Sequence, residues 1–181
     1  MRKELFKNVK IPENVEVTIN GNLVEVTGQE GKLEKNFDIL NLVFEKKDKE
    51  IIIGNKNSTK RDKRMANTII AHLKNMIKGV QKKFEYKLKI CFSHFPFTVE
   101  IKGRDVTIKN FLGEKFPRTV ELPKGVEAEV DKEIITIRSV DKELAGQAAA
   151  KFEGATKISK RDRRIFQDGI FLIKKPNRSF L

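Results

Sequence analysis

The chain is poor in the residues from which most active sites are built. Among 181 residues there is one cysteine, Cys91, and there are two histidines, His72 and His94. A single thiol excludes an internal disulfide framework and fits a reducing compartment. Cys91 and His94 have a ligand-like spacing, but one Cys and one His cannot complete a tetrahedral site, so no metal is expected. His72 sits among apolar neighbours in a helical pattern, where a partly buried packing role suits it. No apolar run approaches a membrane span and no basic-then-apolar leader opens the sequence, so a soluble, unsecreted protein without membrane contact is expected. The motifs G-x-G-x-x-G and G-x-S-x-G are missing. Residues 54–60 lack the second glycine of a phosphate loop and read as a cap and loop. Carboxylates alternate with lysines, the pattern of salt-bridged solvated faces rather than of paired acid–base catalysts. Neither an enzyme nor a cofactor nor a small-molecule substrate is expected.

What the chain has in excess is positive charge. It carries 38 Lys and Arg against 25 Asp and Glu, a formal net charge of +13. Such an excess calls for an anionic partner. Its distribution is uneven. Residues 89–156 hold eleven basic and eleven acidic side chains and are neutral. Residues 157–178 hold Lys157, Lys160, Arg161, Arg163, Arg164, Lys174, Lys175 and Arg178 against Asp162 and Asp168. In the first half, Lys56, Lys60, Arg61, Lys63 and Arg64 surround Asp62 near the start of a helical pattern. These knots suit RNA, because Lys and Arg neutralise phosphates with release of counterions, and Arg also forks onto phosphate oxygens. Three arginines within four positions repel one another unless an anion offsets the cost.

A second feature is internal repetition. Val17, Ile19, Gly21, Val24, Val26 and Gly31 are matched 82 positions later by Val99, Ile101, Gly103, Val106, Ile108 and Gly113. Ile51 and Ile53 are echoed by Ile135 and Ile137, and an apolar helix pattern follows each pair. Alternating Val and Ile around Asn20-Gly21 predict a hairpin. Further short strands are expected at 33–37, 42–45 and 50–53. After Gly54 the period becomes helical through Met65, Ile69, Leu73, Met76 and Val80, with Ser58 or Thr59 as cap and Gly79 as stop. The second half predicts strands near 84–92, 97–101, 106–109, 119–122, 128–130 and 134–138. A helix over 142–155 follows, capped by Asp141, with Leu144, Ala148, Phe152 and Ala155 on one face. The fold class is therefore α+β: two tandem duplicated domains, 1–82 and 83–181, each an antiparallel sheet with one long helix packed on one face. With no Gly/Ser or Pro-rich linker near 80–85, the two are expected to be fixed relative to each other.

Four motifs carry a resemblance. Asn110-Phe111-Leu112-Gly113-Glu114-Lys115, reached from His94-Phe95-Pro96, resembles a signature of the universal large-subunit ribosomal protein family called L-six, or L-nine in eukaryotes. Residues 75–80, 141–149 and 164–170 are similar to its inter-domain, C-terminal helix and closing motifs. The Arg-x-Phe-x-Asp-Gly ending resembles the archaeal and eukaryotic branch. The resemblance implies two duplicated α+β domains, no catalysis, and a C-terminal domain docked on large-subunit ribosomal RNA near the factor-binding region and the sarcin-ricin loop. It implies neighbouring ribosomal proteins as partners, translation factors nearby, and a cytoplasmic location in the ribosome. It also supplies Lys109, Asn110 and Lys115 on a loop and Lys142, Gln147 and Lys151 on the helix as RNA contacts, while the charge count supplies the tail from Lys157 to Arg178. Arg161, Arg163 and Arg164 are expected to be the tail's anchors, with Phe166, Ile170 and Leu172 pinning its middle and RNA ordering the rest. Phe171 stands where the family usually has Tyr. The competing reading is a free RNA-binding or ribosome-assembly factor of the same fold.

Overall fold

The computed structural model describes residues 3–39, 42–47, 49–176 and 178–179. Contacts divide it into two units, Met1–Lys83 and Phe84–Leu181. The first contains β1 (Lys3–Lys10), β2 (Glu16–Asn20), β3 (Leu23–Gly28), β4 (Gly31–Asn36), β5 (Val43–Lys47), β6 (Glu50–Ser58) and α1 (Lys60–Gln81). The second contains β7 (Phe84–Cys91), β8 (Thr98–Lys102), β9 (Asp105–Lys109), a 3-10 turn (Phe111–Gly113), β10 (Arg118–Glu121), β11 (Glu127–Asp131) and β12 (Ile134–Ser139). It ends with α2 (Lys142–Ala155), β13 (Gly169–Lys175) and β14 (Arg178–Ser179).

Hydrophobic alternation explains the strands and exposes the duplication in three dimensions. Val17 lies opposite Val26 and Ile19 opposite Val24. The equivalent pairs in the second unit are Val99 with Ile108 and Ile101 with Val106. Each hairpin turns on a glycine in the left-handed region, Gly21 at φ 61° and Gly103 at φ 63°, where a side chain would be strained. The remaining strands repeat as well: the order β1-β6-β5 in the first unit becomes β7-β12-β11 in the second. Ile51, Ile53, Ile135 and Ile137, the echoed isoleucines, are all fully buried. The α+β class and the duplication stand. The strands of each unit form two antiparallel sheets rather than one, and the second unit extends its larger sheet with β13 and β14 beyond β7.

Local chemistry sets the helix boundaries. Thr59 caps α1: its Oγ1 accepts from the Asp62 N–H at 3.3 Å, and Asp62 accepts from the Thr59 N–H at 2.8 Å. Gly79 does not end this helix, which runs to Gln81 and buries Gly79 on its inner side. Asp141 caps α2, accepting from the Glu143 N–H at 2.8 Å. The buried face of α2 is Ala145, Ala148, Ala149 and Phe152, so Leu144 and Ala155 are only half-buried. Small alanines let the helix lie close to β7 and β12, and Phe152 fills the space beyond them; burying such a ring stabilises by about 2–3 kcal/mol.

Two local expectations differ from the structure. Gly54 does not close a strand and residues 54–58 are not a loop; they continue β6. β1, whose apolar residues are diluted by lysines, has no counterpart among the expected strands. The two differences are linked. β1 pairs with β6 through a register shift between Lys3 and Leu5, and a Cβ at position 54 would collide with the Leu5 carbonyl and the Phe6 backbone. Glycine is needed there for close approach of two backbones. Gly54→Ala is expected to destabilise the first unit by about 2–3 kcal/mol, measured by urea denaturation. A loss below about 0.5 kcal/mol would mean that β1 moves away without cost.

Candidate nucleic-acid interface

The loop between β9 and β10 is built around an arginine. Arg118 forks onto Glu114, with its Nε at 2.8 Å and an Nη at 2.5 Å from the carboxylate, and its other Nη donates to the Ala155 carbonyl at 2.6 Å. Its guanidinium also lies 4.5 Å from the centroid of the buried Phe111 ring. One side chain thus ties the loop, β10 and the C-terminal end of α2. The hydrogen bonds from Arg118 lead in holding the Glu114 carboxyl below its ordinary value, with a contribution from the charge of Arg161. The Phe95 ring lies beside Gly113 of the loop, and the adjoining His94 meets the tail at Phe166. Asn110 and Leu112 adopt left-handed conformations, at φ 61° and 50°, and the Asn110 amide donates to the Pro96 carbonyl at 2.9 Å. The chain that follows presents Lys115 and Phe116 outward, and Phe116 is 85% exposed.

The tail is held by a buried acid. The side chain of Asp168 is 1% exposed. Its Oδ1 accepts from the Ser93 and His94 N–H groups at 2.7 and 3.1 Å, and its Oδ2 lies 2.6 Å from His94 Nδ1. Burial alone would raise this carboxyl; the hydrogen bonds from His94 and Ser93 outweigh it and hold Asp168 well below the usual carboxylate range. Outside this clamp, Phe166 stacks on the His94 ring with centroids 4.6 Å apart, and the Arg161 guanidinium lies 4.7 Å from the Phe166 centroid. Inside it, the buried Thr156 hydroxyl accepts from the Ile170 N–H at 2.9 Å, and Glu153 accepts from the Leu172 N–H at 3.1 Å. α2 and β13 are thereby stitched together. Beside the clamp a cleft of about 790 Å³ is lined by Cys91, Lys157, Ile158, Arg163, Phe166 and Phe171. Phe171 is half exposed and the tip of its ring lies over Gly169.

The expected contact residues fall into separate groups. Lys115, Lys157, Lys160, Arg161, Arg163 and Arg164 are exposed on the loop and tail. Arg164 approaches Asp162 at 3.5 Å. Lys109 is paired with Glu100 at 2.6 Å, and Lys151 donates to the Glu121 carbonyl at 2.7 Å, so both have intramolecular partners. Lys142 is half-buried and Gln147 exposed on α2. Gly169 pairs with Cys91 whereas Lys174 pairs with Lys87, so β13 carries the chain to the other end of the sheet. There Lys174 approaches Glu85 at 3.5 Å, and Lys175 lies opposite Arg178 in the final hairpin. His72 is half-buried beside Lys35, whose Nζ lies 3.2 Å from the ring. Among the described residues no cluster of His, Cys, Asp and Glu could hold a metal, and no helix is long and apolar enough to cross a membrane.

The family profile described as Ribosomal protein L6 matches twice, over residues 11–83 and 95–169, once in each unit. The chain belongs to this family. Relatives include the large ribosomal subunit protein uL6 of Staphylothermus marinus, 44% identical over 93% of both chains. The protein of the same name from Methanothrix thermoacetophila is 41% identical over 97% of this chain and 99% of its own. That of Methanobrevibacter smithii is 43% identical over 93% and 95%. Membership explains why the four motifs occur in order. It does not by itself give a role to Phe116, which lies outside the motifs, or to Asp168, which the closing motif contains. Phe116 had a readable signal, an aromatic between Lys115 and Pro117 at a loop tip. Asp168 was marked by its motif, but its role as a clamp was not legible, because its partners lie 74 and 75 residues away.

Asp168→Asn keeps the shape of the clamp and removes its charge. At pH 7 the variant is expected to be less stable by about 2 kcal/mol. Asp168 titrates lower in the folded than in the unfolded chain, so its contribution is complete above about pH 5 and is lost as pH falls through the acid range. The gap between the parent and the variant should accordingly begin to narrow only below about pH 4 and go on closing as pH falls further. Urea titrations across pH measure it, and a gap that does not narrow in acid would show that charge is not what holds the tail.

Proposed function

We propose that this chain is a structural component of the large ribosomal subunit, and that its second unit grips ribosomal RNA through the loop at 109–116, the exposed side of α2 and the tail. Membership of the ribosomal protein L6 family in both units carries the reading. The family is a structural one, and no catalytic step is ascribed to the chain. The exposed arginines of the tail support the division of labour. Lysines and arginines meet phosphates, while Asn110 shapes its loop and Gln147 offers hydrogen bonds from α2. Phe116 offers a face on which an unpaired base stacks. The site on the RNA is taken to lie near the factor-binding region and the sarcin-ricin loop. Neighbouring ribosomal proteins are its partners, translation factors act nearby, and its location is the cytoplasmic ribosome.

The first test is co-sedimentation with large subunits through a high-salt wash. A structural component stays with mature particles; an assembly factor of the same fold would be absent from them, and that outcome would replace this reading. Two variants then separate charge from stacking. If Arg161, Arg163 and Arg164 neutralise about three phosphates, replacing all three with Ala flattens the slope of log affinity against log salt by roughly 2–3 units. Phe116→Ala should instead weaken binding by about 1–3 kcal/mol with the slope unchanged. A salt titration against large-subunit ribosomal RNA reads both. An unaltered slope in the triple variant, with the fold intact by circular dichroism, would make the tail's charge a solvated face.

A further inference from the structure

About half of the chain's excess charge lies outside the second unit. Residues 1–83 hold eighteen basic and eleven acidic side chains, and within 51–83 the balance is nine to one. The one acid there, Asp62, is buried in the cap of α1. The helix presents this charge as a continuous face. Lys60, Arg64, Lys74 and Lys78 recur with Asn67 and Ala71 at steps of three and four on its exposed side, with Arg61 and Lys63 alongside. The opposite side, including Ile69, Leu73, Met76 and Val80, is buried. From Lys60 to Lys78 the face extends about 27 Å.

Two lysines elsewhere on the same unit have acidic partners within it. Lys32 pairs with Glu25 and Glu34, and Lys49 with Glu13. Among the described residues none of the six cations on α1 forms an ion pair. Lys60 and Arg64, like Lys74 and Lys78, are like charges four residues apart, an arrangement that destabilises a helix. Apart from Lys78, which the helix dipole favours in the last turn, folding gains little from this face, so an external anion is what makes sense of it. The face also says what kind of anion. It has no exposed aromatic or bulky apolar side chain, so it lacks both the anchor that a protein partner would bury and the wedge that a membrane surface would take. A long, uniformly cationic and polar strip matches a chain of phosphates.

We propose that the exposed face of α1 is a second RNA-binding surface, holding the phosphate backbone of large-subunit ribosomal RNA without reading its sequence. This rests on the reading of the chain as a ribosomal RNA binder. The full chain is probed in two ways. Lysine acylation with and without large-subunit ribosomal RNA should show the reactivity of Lys60, Lys63, Lys74 and Lys78 falling at least threefold when RNA is bound. The variant carrying Lys60→Gln, Arg64→Gln, Lys74→Gln and Lys78→Gln should flatten the salt slope by roughly 3 units, additively with the tail variant. Unprotected lysines, or an unchanged slope while the tail variant still loses its own, would overturn the α1 surface and leave the tail reading intact. If neither variant alters the slope, ribosomal RNA binding itself fails. Polyglutamate protecting these lysines at a lower concentration of charge than RNA would also overturn the proposal, in favour of an acidic protein partner.

Discussion

A carboxylate buried in the most basic segment of the chain holds the second unit's functional end together. Burying a charge is costly, and Asp168 persists in the interior only because the Ser93 and His94 N–H groups and the His94 ring converge on it. The result is a fixed joint between the end of β7 and the start of β13. From that joint β13 enters the sheet beside β7, Thr156 and Glu153 fasten it to α2, and Ile170 closes the core at 1% exposure. In the other direction the tail turns back over the joint, with Phe166 on His94 and Arg161 on Phe166. Negative charge inside and positive charge outside are thus layered through two rings. The arginines can stay exposed because the acid, not the arginines, supplies the attachment.

The two units show how one folding pattern is put to different electrostatic uses. Their hairpins share register and turn glycine, and their larger sheets share strand order. In the first unit the charge excess lies on a helix of 22 residues whose outer face has no exposed acid. In the second the helix is shorter, at 14 residues, and buries alanines and one phenylalanine. Its charge excess has moved to an added segment instead. Changing a helix surface leaves the core untouched, and adding a strand to an open edge leaves the existing register untouched. Both changes are compatible with the duplicated core, which explains how the units diverge in surface while keeping the same buried isoleucines.

What could be read from the chain follows the range of the interactions involved. Alternation and turn glycines are local signals, so the hairpins at Gly21 and Gly103 were legible, as was the Asp141 cap. β1 was not, because an edge strand with lysines at positions 3, 7 and 10 lacks the apolar density of a core strand. Gly54 misled for a related reason. A glycine in sequence reads as punctuation, whereas here it admits a neighbouring backbone that only the fold brings near. Leu144 was placed on the buried face of α2, where packing prefers the small Ala145 close to the sheet. At the site, the tail's exposed charge and its apolar pins at Phe166 and Ile170 could be read, but the buried acid that fixes it could not. His94 was set aside as a metal ligand but had no other role until the fold gave it Asp168 as a partner.

That attachment bears on the cost of binding. A basic segment that must be ordered by its ligand loses backbone and side-chain entropy on association, about 1–2 kcal/mol per residue for the backbone alone. Protein contacts already fix Phe166, Asp168 and Ile170 and hold Arg161 over an aromatic face. Only the outer stretch around Lys160, Arg163 and Arg164 retains that cost. The same economy applies to the loop, where Arg118 and the Asn110 amide fix the chain on either side of the 3-10 turn before Phe116 meets anything. Rigid placement does not add charge, so it leaves the salt dependence of binding as it is. It raises affinity at every salt concentration, because each contact made is less offset by lost freedom.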